Sequence, residues 1–117
     1  MMKSRIVWLS LCLSWPLLAA AHAHLLQAQP AEGSVVTSAP AQFTLQFSEA
    51  ARLTALSIQK RGDLQAQPIE PLPAAASAQL VVPAPRLGPG VYELRYRVIS
   101  ADSHVMAGSV HFTVAAP

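Results

Sequence analysis

Proline limits what this chain can fold into more than any other residue. It falls at Pro30, Pro40, Pro68, Pro71, Pro73, Pro83, Pro85 and Pro89. Each removes a backbone donor and clashes with the preceding helical turn, so the chain is interrupted too often for long helices. Between the prolines lie short runs of period two. In Gln42-Phe43-Thr44-Leu45-Gln46-Phe47-Ser48, the two phenylalanines and the leucine share one face. That alternation predicts a half-buried strand. Leu56 and Ile58 suggest a second strand, ending near Arg61-Gly62-Asp63, and residues 80–82 a short third. Residues 91–100 form the longest run, with Tyr92, Leu94, Tyr96 and Val98 on one face and Pro89-Gly90 as the turn before it. Val110, Phe112 and Val114 predict a final strand, with His111 solvated on its opposite face. Residues 71–78, rich in proline and alanine, read as a surface loop. Several short strands joined by turns predict an all-β fold, an antiparallel sandwich or barrel.

The first 23 residues follow a different logic. Lys3 and Arg5 precede an apolar stretch over residues 6–18 that is too short and too interrupted to span a membrane. Ala21-His22-Ala23 then fits the small-x-small pattern of a secretory cleavage site. Residues 1–23 are therefore expected to be a cleaved signal peptide and residues 24–117 a single exported domain. Ala19-Ala20-Ala21 also fits, which allows a cut two residues earlier. Lys3 and Arg5 leave with the leader, so six basic residues face six acidic ones in the mature chain. The net charge of +2 belongs to the leader and argues nothing about nucleic acid. Cys12 leaves too, and a secreted domain without cysteine must rely on its core or on a bound metal.

Cleavage after Ala23 makes His24 the first residue, and its α-amine and imidazole can then chelate one metal ion. Asp102 and His104 lie two apart after the longest run, so in extended backbone both side chains point to one side. Asp and Ser are also ordinary turn formers. Taken together, His24, Asp102 and His104 offer three nitrogens and an oxygen, a tetragonal set that suits Cu(II). Zn(II), which prefers a tetrahedral arrangement, is the other ion such donors serve. Under the earlier cut, His22-Ala23-His24 is a different copper chelate that does not need Asp102. Met106 is the one methionine left after the leader, a packing residue and not a Cu(I) site. Neither Ser48-Glu49 nor Ser109 has the partners of a nucleophile, and no phosphate-binding loop is present.

Four blocks in order resemble the CopC/YobA family of periplasmic copper-binding, copper-resistance proteins. They are Ala21-His22-Ala23-His24-Leu25 with Pro30-Ala31-Glu32-Gly33-Ser34; Pro40 with Leu45-Gln46-Phe47-Ser48-Glu49; Leu87-Gly88-Pro89-Gly90-Val91-Tyr92 leading into Arg97-Val98-Ile99-Ser100-Ala101-Asp102-Ser103-His104; and Gly108-Ser109-Val110-His111-Phe112-Thr113-Val114. The resemblance implies a Greek-key β-barrel or sandwich, immunoglobulin-like in shape, holding one Cu(II) per chain in a type-2 site. It implies His24 as a ligand through amine and imidazole, Asp102 and His104 as the others, and Glu49 as an outer-shell carboxylate. It also implies a periplasmic protein, not an enzyme, that sequesters copper or passes it to an inner-membrane importer of the CopD type. Some relatives carry a methionine-rich loop for Cu(I); residues 55–78 contain neither methionine nor histidine, which predicts a Cu(II)-only member. Two other readings start from the same residues. One is a copper-brace monooxygenase, disfavoured because Asp102 would occupy the position that oxygen needs. The other is an immunoglobulin-like interaction domain without metal.

Overall fold

The computed structural model describes residues 23–117 together with Ser4, Ser10 and Cys12. The leader expected over residues 1–23 otherwise lies outside the described residues. Seven strands follow one another: β1 (Leu25–Gln29), β2 (Ser34–Val36), β3 (Gln42–Lys60), β4 (Gln67–Pro68), β5 (Ser77–Pro83), β6 (Gly90–Ser100) and β7 (Val105–Val114). Among the described residues there is no helix. The all-β expectation stands.

β3 organises the fold. Its first half pairs antiparallel with β1 on one side and β5 on the other, at Gln29↔Thr44 and Leu45↔Leu80 for example. Its second half pairs with β6 from Ala51↔Ser100 to Lys60↔Tyr92. β6 continues to β7, and β2 closes the far edge of β7 in parallel. One strand of 19 residues thus serves two sheet layers and bends between them. Phe43, Leu45 and Phe47 from the first layer are fully buried against Tyr92, Leu94, Val98, Val110 and Phe112 from the second. The Phe43 and Phe112 rings meet at 5.9 Å, and Phe47 stands edge-on to Tyr96 at 5.5 Å. Each such side chain contributes about 1.5–3 kcal/mol on burial, in a core without a disulfide among the described residues.

The two strands expected near residues 42–48 and 56–58 are one. Between them, Ser48-Glu49-Ala50 crosses from one layer to the other, and a bulge at residues 53–55 shifts the register. Alternation fails there because the residues that face inward change layer. The loop expected over residues 71–78 ends inside β5, which opens at Ser77. Buried Ile69 pins its start to the core, with its amide donating to the Leu56 carbonyl at 2.9 Å. β1, β2 and β4 were not expected. β1 begins Leu25-Leu26, and a register shift between Leu25 and Gln27 hides its period.

Candidate metal centre

At the end of β6 the chain reverses through Ala101-Asp102-Ser103 into β7. Ser103 adopts φ 68°, a left-handed conformation that costs a residue with a Cβ roughly 1–2 kcal/mol. Hydrogen bonds hold it there: the Ser103 amide donates to the Ser100 carbonyl at 2.9 Å, and the Ser100 amide to the His104 carbonyl at 3.0 Å. The Asp102 carboxylate folds back over this turn. Its Oδ1 accepts from the Ser100 hydroxyl and from the His104 amide at 3.3 Å, while Oδ2 lies 2.7 Å from His104 Nδ1. The Ser100 hydroxyl, helped by the bonds from His104, holds the Asp102 carboxyl down to about 2. An ionised carboxylate only accepts, so Nδ1 carries the proton of a neutral His104 and the ring's lone pair falls on Nε2.

The pair suits a metal in either of two ways. Nε2 can coordinate with Asp102 orienting the ring, or the ion can replace the Nδ1 proton and take both groups. Two cis ligands at about 2.0 Å from an ion stand about 2.8 Å apart, close to the 2.7 Å between Oδ2 and Nδ1.

His24 immediately precedes β1 and lies opposite Ser48 of β3. Its backbone nitrogen donates to Ser48 Oγ at 2.8 Å, and the Ser48 amide donates to the His24 carbonyl at 2.8 Å. Ser48 is three residues along β3 from Ala51, the partner of Ser100. His24 and the Asp102–His104 turn therefore occupy the same end of the fold, with about 10 Å of strand between their anchors. They do not form one cluster: among the described residues no three His, Cys, Asp or Glu side chains are grouped to hold a metal. His24 is still joined to Ala23, which is buried, and its nitrogen is an amide committed to Ser48. Glu49 is exposed beside Ser48.

His111 is exposed as expected but is not merely solvated. Its Nδ1 lies 3.0 Å from Glu32 Oε1 and its Nε2 3.5 Å from Glu93 Oε2, and its amide donates to Glu32 Oε2 at 2.7 Å. That amide is the main reason the Glu32 carboxyl is lowered, whereas the Arg95 guanidinium lowers Glu93. Sequence reasoning also missed Ser48 and Ser100. Ser100 had a legible signal: it follows Val98 by two, so it takes the inward phase of β6 as a polar residue.

A CopC domain model matches residues 25–115. The chain belongs to the CopC family. Its relatives include Protein YobA of Escherichia coli K12, 39% identical over 99 residues, covering 80% of this chain and 79% of that one. Copper resistance protein C of Pseudomonas syringae pv. tomato is 36% identical over 107 residues, covering 83% of each. Among solved structures, CopC from Methylosinus trichosporium OB3b superposes with a TM-score of 0.70 at 25% identity, over 80% of this chain and 94% of that one. PcoC, a methionine-rich copper resistance protein from E. coli, gives 0.58 at 28% identity, over 80% and 99%. For this CopC-family chain the Ser48 and Asp102–His104 positions fall inside the matched domain, and His24 stands immediately before it.

Proposed function

We propose that this chain is a periplasmic copper-resistance protein that binds one Cu(II) at the end of the sandwich where β1 starts and β6 ends. Signal cleavage after Ala23 frees the α-amine of His24. That amine and the His24 imidazole then chelate the ion, and Asp102 and His104 complete the set. Glu49 lies outside the ligands as a nearby carboxylate. The observation that carries this reading is the Asp102–His104 pair, already held at the spacing of a metal chelate by Ser100. Membership of a family whose relatives are named for copper resistance supports the choice of metal. With no methionine in residues 55–78 and Met106 alone after the leader, the chain lacks a cluster of the thioethers that Cu(I) prefers, and the reading is Cu(II) only.

The protein does no chemistry on the ion. It withholds copper or releases it to an inner-membrane importer of the CopD type. Coordination needs an unprotonated amine and neutral imidazoles, so binding releases protons and affinity falls as the medium is acidified. Intact mass of the exported protein, with and without Cu(II), gives the cleavage site and the metal count; the expected result is a start at His24 and one ion. Calorimetry of mature His24→Ala and His104→Ala should show at least about a hundredfold weaker binding. Wild-type affinity in both variants would favour a metal-free interaction domain, and a start at His22 would replace this ligand set.

A further inference from the structure

The outward face of the β3–β6–β7 sheet carries a pattern that metal binding does not use. Register places its residues in rows across three strands. The row nearest the Asp102–His104 turn is Arg52, Ile99 and Val105. In the next, Arg97 stands between Ala55 and Ala107, and in the third Arg95 stands between Ser57 and Ser109. Half of the domain's six cationic residues therefore point from one face. Among the described residues neither Arg52 nor Arg97 has a carboxylate partner; Arg95 pairs with Glu93 on its own strand. The small flanking side chains leave a depression of about 570 Å3 around Arg95 and Arg97. Val105, 58% exposed, adds an apolar edge beside the turn.

We propose that this face docks an acidic, extended segment of a partner protein beside the metal end. The inference rests on the copper reading for its purpose, since it would hold a recipient next to the ion. Its chemistry is independent of that reading. Arg95 and Arg97 are two residues apart on one strand, about 6.7 Å, which is the spacing of alternate side chains in an extended peptide. Carboxylates at every second position therefore meet successive guanidiniums, with Arg52 about 7 Å diagonally from Arg97 to take a third. All three cations are arginines, whose planar forks pair bidentately with carboxylates and which are enriched at protein interfaces where lysine is depleted. Glu93 competes for Arg95 and sets the limit of the acidic stretch.

The probe is a short peptide with Glu at every second position and Ser between, titrated into 15N-labelled mature protein. Amide shifts should concentrate on the Arg52, Arg95 and Arg97 rows and vanish at about 0.5 M salt, where charges are screened beyond a few ångströms. The doubly substituted Arg52→Ala, Arg97→Ala protein should bind about tenfold more weakly. Glu93→Gln releases Arg95 and should bind about threefold more tightly, a gain that misfolding cannot imitate. Shifts elsewhere, equal binding of a Gln-for-Glu peptide, or capture by phosphatidylglycerol vesicles but not by the peptide would overturn the proposal. Cu(II) titration of the same variants is the separate control. Docking with no copper bound by any of them leaves this face standing and removes the metal reading, and copper bound without docking does the reverse.

Discussion

Ser100 is where the Asp102–His104 turn, the proposed metal site, meets the core. It is 5% exposed, and its hydroxyl reaches outward to an Asp102 carboxylate that solvent can touch. Of the contacts that lower Asp102, this hydrogen bond is the largest. A carboxyl lowered in the folded state stabilises it fully above the ordinary value of about 3.9, and that contribution is lost as pH falls through about 2. Ser100→Ala deletes the bond and leaves a small apolar side chain that fits the inward phase of β6. The Asp102 carboxyl should then titrate nearer its ordinary value. At about pH 3 the native carboxylate remains charged while more of the variant's is protonated, His104 still lowering it in part, and a carbon-13 titration of the metal-free protein reads the difference. Cu(II) affinity should fall about tenfold at neutral pH, the usual loss when a group orienting a ligand is removed. Unchanged titration and affinity would make Ser100 a packing residue only.

At the level of elements, Gly108 shows how closely β6 and β7 depend on one another. It sits opposite Tyr96, and a Cβ there would lie 2.3 Å from the Tyr96 hydroxyl oxygen and 2.6 Å from the ring. The ring cannot simply swing aside, because Phe47 meets it edge-on from the other layer. Gly108→Ala should cost about 1–3 kcal/mol and alter the near-ultraviolet signal of Tyr96, with thermal melting as the measurement. An unchanged melting temperature would show that the ring has room. Strands whose inward face stays on one side were legible: residues 42–47 and 91–99 alternate because one layer covers them throughout. The crossing at Ser48-Glu49-Ala50 was not, since a strand that passes from one layer to the other carries no single period. Nor was β1, whose bulge breaks its alternation. The site divided in the same way. Asp102 and His104 were legible from their spacing of two, and Ser100, whose contacts with them are local, could have been read from its inward phase; the contact of Ser48 with His24 depends on strands brought together from 24 residues away.

On the scale of the whole molecule, the sandwich brings His24 and the start of β1 to the end of the fold where the β6–β7 hairpin turns. β1 lies on the outer side of β3, β6 continues the sheet beyond the bend, and Ser48 and Ala51 stand three residues apart between them. A chain still joined to Ala23 has this topology already, with the His24 nitrogen bonded to Ser48 Oγ. The fold is thus complete before the proposed amine ligand exists. The proposed cleavage would change one group, from an amide that cannot release its proton easily to an amine that can give its lone pair to a metal. A protein carrying a single additional alanine before His24 should therefore fold and melt like the mature chain, because the β1–β3 pairing is untouched. It should nevertheless bind Cu(II) at least about tenfold more weakly, since the six-membered chelate through the His24 amine and imidazole is lost while His104 and Asp102 remain. Paired calorimetry and thermal melting of the two proteins separate these effects. Equal affinities would show that the amine takes no part, and a lower melting temperature in the extended form would trace any lost affinity to the fold.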